Sequence, residues 1–298
     1  MRLDDLDPSR NTRDRGRGGS GGGGFSRGGL GGLIGLLPLL LGRRMGLGTI
    51  IIIVIIGYFL FSSGGLQMGE VTPTIQSGQA SGVEQPCDTE AELFACRVLT
   101  STEQTWTDLF RQNGSQYAPP TLNFYEGGTR SGCGAASASM GPFYCPADQG
   151  IYLDTSFFRE METQLGATGD FAQAYVIAHE VGHHVQYLTG QLRDVRSRQQ
   201  AVGRVEGNRL EVRIELQADC YAGVWAARNR DRMEPGDMEE GMRAASAVGD
   251  DRLQRQAQGY VVPESFTHGT SEQRMRWLRR GMETGDPAAC DTFATNRL

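Results

Sequence analysis

The chain has 298 residues, 39% of them hydrophobic, and a net charge of −6, which is material for one or two buried cores. The charge is uneven: residues 1–48 carry eight Arg against four Asp, a net of +4, leaving the remainder at −10. An acidic globular part argues against nucleic acid as a partner.

Residues 15–36 are rich in Gly and Arg. Such a composition cannot bury a core, so residues 1–44 are expected to form a disordered cytoplasmic tail. An RNA-binding Arg-Gly tract is the competing reading, and the stretch is short and poor in aromatics for it. Met45–Phe61 follows, 17 uncharged residues with seven consecutive Ile or Val at 50–56. That length sits at the lower limit for a transmembrane helix. A cleaved signal peptide or a buried strand are the alternatives, but the stretch before it is long for a signal and the run is very apolar for a soluble strand. After the span the next basic residue is Arg97. The positive-inside bias therefore predicts a single-pass protein of the cell membrane, with a cytoplasmic N-terminus and an extracytoplasmic domain. Residues 62–86 read as a linker, and 87–298 as the folded domain.

Six Cys all follow the span, at 87, 96, 133, 145, 220 and 290. An even number on the exported side suggests disulfides, for which fifteen pairings are possible. The set closing the shortest loops is Cys87–Cys96, Cys133–Cys145 and Cys220–Cys290. Apolar residues at helical spacing predict a helix over 89–112. Residues 121–125 and 150–154 predict strands. Between them, Ala135, Ala136 and Ser137 lie in a stretch of small residues that would let another backbone approach. They are expected to form an edge strand that holds an extended peptide, the alternative being a plain disulfide-closed loop.

The densest chemistry lies in Ala178-His179-Glu180-Val181-Gly182-His183-His184-Val185, within a helix predicted from Asp170, as its cap, to about Thr189. Residues i and i+4 lie about 40° apart round a helix, so His179 and His183 can aim two imidazoles at one point. Glu180 stands about 100° away, near enough to reach a water but not the metal. Two imidazoles with an open position suit Zn²⁺. Glu180 would then be the general base of a hydrolase. A chance match on an amphipathic helix is disfavoured, because three of the four His in the chain cluster here. His184 points away from His183 and is expected at the surface or behind the ligands. Gly182 costs a helix about 1 kcal/mol against Ala, which suggests close packing or room for substrate.

A second helix is predicted over 204–229. Glu215 and Asp219 share one of its faces among apolar neighbours, and burial of such a pair needs a partner. Glu215 is the expected third zinc ligand. Asp219 is expected to accept from the free N–H of a ligand His. The alternative is a salt bridge to Arg213 or another Arg. A helix over 237–257 comes next. Thr270 and Gln273 then form a capping box at the start of a last helix. His268, just before it, could stabilise an oxyanion, with Arg274 helping to hold substrate.

These motifs resemble a bacterial family of membrane-anchored neutral zinc metallopeptidases. The resemblance runs through Cys133-Gly, Gly141-Pro-Phe-Tyr-Cys-Pro-Ala-Asp148, Tyr152-Leu-Asp154, His179-Glu-Val-Gly-His-His-Val-Gln186, Glu215-Leu-Gln-Ala-Asp-Cys220 and Thr267-His-Gly-Thr270. The zinc motifs are also similar to the CAAX prenyl endopeptidase type, which has several spans where this chain has one. The resemblance implies an α+β, mainly helical zincin-like domain with a small β-sheet or hairpin, preceded by one transmembrane helix. It implies a gluzincin-like site, with His179, His183 and Glu215 on zinc and Glu180 catalytic, acting on a peptide or protein. A non-catalytic, zinc-stabilised binding module anchored in the membrane is the alternative.

Overall fold

The computed structural model describes residues 1–17 and 86–298, which belong to one compact unit. Six short strands come first, interrupted by one long helix. They are β1 (Thr12–Arg17), α1 (Glu90–Gln112), β2 (Thr121–Glu126), β3 (Gly128–Ser131), β4 (Gly134–Ser137), β5 (Phe143–Cys145) and β6 (Gly150–Leu153). Seven helices follow: α2 (Ser156–Leu165), α3 (Asp170–Leu188), α4 (Gln191–Gln200), α5 (Arg204–Arg228), α6 (Asp237–Ala247), α7 (Asp250–Gln258) and α8 (Ser271–Thr284). The class is mixed α+β and mainly helical.

The larger sheet has the order β1-β2-β6-β5. Its first three strands are parallel, and β5 runs antiparallel to β6 with Phe143 opposite Tyr152. Strands β3 and β4 form a separate antiparallel hairpin. The core lies between this sheet, α1 and the crossing of α3, α5 and α8.

Glycines set the distances at that crossing. A Cβ on Gly182 of α3 would stand 3.0 Å from Ala218 Cα of α5, so this glycine serves close helix contact, not substrate space. On Gly281 of α8 it would collide with the Cys220 carbonyl, and on Gly223 of α5 with that of Leu278. These contacts press the Glu215-bearing helix onto both the HExxH helix and the final helix. All three expected disulfides form: Cys87–Cys96, Cys133–Cys145 and Cys220–Cys290. The last joins α5 to the turn after α8 within the core, bracing the same crossing.

Four sequence expectations need correction. First, residues 1–17 are part of the fold, not of a tail. Met1, Leu3 and Leu6 are buried in the main core, and β1 pairs in parallel with β2, Thr12 facing Leu122. Polar residues of this segment are matched as well: Arg97 binds Asp4 and the Leu6 carbonyl, Arg232 binds Asp5, and Ser9 and Asn11 both donate to Glu103. Residues 1–17 and 86–298 therefore form one folded unit. The predicted span at 45–61 and most of the linker at 62–86 lie outside the described residues. Among the described residues no helix is long and apolar enough to cross a membrane.

Second, Asp170 does not cap α3. Gly169 holds that position at φ 101°, and Asp170, the first helical residue, binds the Met1 amine. Third, the helix expected over 237–257 is two, broken at Val248–Gly249. A side chain on Gly249 would collide with Ser271, so the break lets α8 begin against it. Fourth, the hairpin strand β4 carries Ala135, Ala136 and Ser137 away from the site described next.

Candidate metal centre

A cleft of about 410 Å³ lies between the β5 edge of the sheet and helices α3 and α5. Its floor is formed by His179, Glu180 and His183 of α3 and Glu215 of α5. One wall is Met140 to Tyr144, and His268 closes another side. The expected substrate residues 135–137 do not line it. Ala135 and Ala136 face Arg130 and Thr129 across the β3–β4 hairpin. The strand at the cleft is β5, which is the outer strand of its sheet.

One ligand atom from each of His179, His183 and Glu215 falls in a group whose members lie within 4.8 Å of one another. His179 Nε2 is 3.2 Å from Glu215 Oε2, and His183 Nε2 is 3.3 Å from Glu215 Oε1. The other ring nitrogens are already engaged. His179 Nδ1–H donates to Asp219 Oδ1 at 2.8 Å, and His183 Nδ1–H donates to Gln186 Oε1 at 2.9 Å. Each tautomer is thereby fixed with its Nε2 lone pair toward Glu215. Two imidazoles and one carboxylate so arranged are a donor set for Zn²⁺.

The electrostatics also favour a cation at this point. Burial would lower the pKa of His179, but the Asp219 charge and its hydrogen bonds to Asp219 and Glu215 overcome that and lift it to about 9. His183 is raised as well, burial being outweighed by Glu215. Burial pushes the Glu215 carboxyl up, yet the two imidazoles hold it well below the usual range. The cluster thus favours positive charge beside the Glu215 carboxylate.

Behind the ligands lies a buried network. Asp219 is fully buried and accepts from His179, from Tyr175 Oη at 2.5 Å, and twice from Arg274 at 2.8 Å. Arg274 lines the cleft as expected and also binds Asp219, a contact the sequence did not indicate. Arg213 instead reaches the carbonyls of Thr292 and Thr295. Gln186 donates to the Ile214 carbonyl and to Gln217, tying His183 to α5. Neither Tyr175 nor Gln186 was singled out from sequence. Tyr175 precedes His179 by four residues and Gln186 follows His183 by three, so helical spacing puts each beside its ligand.

His184 is neither at the surface nor behind the ligands. It is fully buried, donates from Nε2 to the Ala118 carbonyl at 2.6 Å, and accepts at Nδ1 from Tyr144 Oη at 3.0 Å. Burial presses its pKa down to about 4. As a neutral ring it pins the cleft wall to the HExxH helix. Glu180 is 7% exposed and faces the cleft, and among the described residues its carboxylate takes part in no hydrogen bond or ion pair. His268 has a half-exposed ring on the cleft.

A family model described as "Putative neutral zinc metallopeptidase" matches residues 1–293. The chain is 51% identical over 250 residues to "Uncharacterized protein YpfJ" of Escherichia coli (strain K12), covering 83% of this chain and 86% of that protein. It is 43% identical over 219 residues to "Uncharacterized protein Rv2575" of Mycobacterium tuberculosis (strain ATCC 25618 / H37Rv), covering 68% and 72%. No solved structure matches the chain. With the family model spanning nearly its whole length and both relatives aligned over two thirds or more, the chain belongs to the neutral zinc metallopeptidase family.

Proposed function

We propose that the protein is a gluzincin-like zinc endopeptidase. The observation that supports this most directly is the convergence of His179, His183 and Glu215 within 4.8 Å, with Glu180 adjacent on the same cleft. Zinc on such a set supplies Lewis acidity and lowers the pKa of a bound water to about 7. The chain's own residues do the rest. Glu180 takes the proton of the attacking water and delivers it to the leaving amine. Asp219 and Gln186 hold the two ligand rings in the required tautomers. His268 faces the cleft from the opposite helix start and stabilises the oxyanion. The outer strand β5 offers main-chain groups to an extended peptide.

Three disulfides favour an oxidising compartment outside the cytoplasm for the folded unit, residues 1–17 included. Attachment to the membrane through the apolar segment at 45–61 is part of this proposal. The test is Glu180→Gln in the full-length protein, assayed for zinc by metal analysis and for cleavage of a denatured-proteome peptide library. One zinc per chain with hydrolysis reduced by at least about 10²-fold is expected. Retained turnover would refute the role of Glu180, and zinc without cleavage in wild type would favour the binding module.

A further inference from the structure

We propose that Asp250 is the positioning residue for His268, holding its Nδ1–H so that Nε2 is the ring edge presented to the cleft. The use of that edge on a substrate carbonyl rests on the reading of the protein as a peptidase. The orientation itself does not.

Asp250 is the first residue of α7 and is 9% exposed. Its Oδ2 accepts from the backbone N–H groups of Thr267, His268 and Gly269, at 2.7, 2.7 and 3.1 Å. The Asp250 N–H returns a bond to the Gly269 carbonyl at 2.9 Å. One carboxylate oxygen thus organises the whole turn that carries His268. Holding the turn needs only that oxygen. The second, Oδ1, lies 3.2 Å from His268 Nδ1. A carboxylate oxygen can only accept, so it selects the protonated state of Nδ1. Thr267 Oγ1 is also near this nitrogen, at 3.1 Å, and a hydroxyl can adapt to either state. Nε2 takes part in no hydrogen bond among the described residues.

This arrangement has a consequence for charge. With Nδ1–H engaged, a neutral His268 would show a lone pair at Nε2, and only the imidazolium could donate there. The charged groups facing the ring are Asp250 on α7, Glu215 on α5 and Arg274 on α8, with Glu211, Arg196 and Arg204 along the adjoining wall. The hydrogen bond to Asp250 raises the His268 pKa, burial and Arg274 lower it, Glu215 raises it, and the balance is upward. The imidazolium is the form that can donate from Nε2 to a developing oxyanion.

Asp250→Asn separates the two duties of the carboxylate. The amide oxygen can still accept from the three backbone N–H groups, while the amide N–H₂ faces Nδ1 and forbids a proton there. Only four His occur in the chain, so ¹⁵N-histidine spectra of the full-length protein in detergent can follow each ring, with His268→Gln assigning its signals. In wild type, neutral His268 is expected as the Nδ1–H tautomer with a titration midpoint above about 6.5. Asp250→Asn should convert the neutral ring to Nε2–H and lower the midpoint. Zinc content and thermal midpoint should stay near wild type. An Nε2–H tautomer in wild type overturns the proposal whether or not the variant folds. So does an unchanged tautomer and midpoint in a folded Asp250→Asn. Where cleavage is measurable, His268→Gln should lower kcat by about 10²–10³-fold, Asp250→Asn by less, each with little change in KM. Failure of the Glu180→Gln test would remove the peptidase reading and leave the spectroscopic result standing.

Discussion

Replacing Arg274 by Met removes the two charge-assisted hydrogen bonds that the guanidinium gives Asp219 and leaves a carboxylate with no solvent access. Breaking a buried ion pair from one side costs about 3–5 kcal/mol. Asp219 keeps the bonds from His179 and Tyr175, so the lower end, about 3 kcal/mol, is expected. For a domain of this size that is a fall of about 6–12 °C in thermal midpoint. Burial acts to raise the Asp219 pKa, and in wild type Arg274 and His179 hold it below its ordinary value. Asp219 thus contributes stability that is present above the unfolded-state pKa of about 3.9 and is lost as pH falls through the lower folded value. In Arg274→Met the opposing charge is gone and the pKa rises, so protonation relieves the defect. The difference between variant and wild type should be largest near pH 7 and shrink toward pH 4. Thermal unfolding followed by circular dichroism, in chelator and in zinc, measures it. A loss under about 1 kcal/mol at pH 7, or one that does not shrink in acid, would refute the view of Asp219 as a buried charge dependent on Arg274.

Glu215→Gln should weaken zinc binding by more than the 10–100-fold typical of an outer-shell change. Its thermal midpoint should become insensitive to zinc that stabilises wild type by about 2.7 kcal/mol at 100 times Kd; competition with a chromogenic chelator checks the affinity. His184 is held neutral, its pKa lowered by burial to about 4. Its contribution to stability is full above about 6.5 and is lost as pH falls toward 4, a span worth about 3 kcal/mol. In urea unfolding at a series of pH values, His184→Gln should flatten this slope relative to wild type. Equal slopes would place the ring outside the titrating set. Epitopes inserted after Gly18 and after Leu298 should be cleaved together, or protected together, by a membrane-impermeant protease. One cleaved and the other protected would contradict the pairing of β1 with β2.

Several features were legible because they depend on near neighbours in sequence. The pair His179–His183 shares a helical face by spacing alone. The capping box at Thr270–Gln273 is local, and it forms. The three disulfides are those that close the shortest loops. Glu215 and Asp219 were legible because apolar neighbours implied burial and a buried acid needs a partner. Other features depended on residues far apart. Asp250 gives no local sign of its task, because its partners lie 17 to 19 residues away. Arg274 lines the cleft, but its bond to Asp219, 55 positions earlier, has no local sign. The strand facing the cleft could not be told from the neighbouring hairpin, since small residues at 135–137 permit close approach without saying by what.

Sequence by itself determined the ligand chemistry: the residue types, their helical phase, and the demand of a buried acidic pair for positive charge. Tertiary structure decided which strand borders the cleft, that Arg274 pairs with Asp219, and to which body the first 17 residues belong. Composition is a local average and marks those residues as a tail. Three apolar side chains and one strand are enough to dock them, because the surface that receives them is already formed by residues about a hundred positions away.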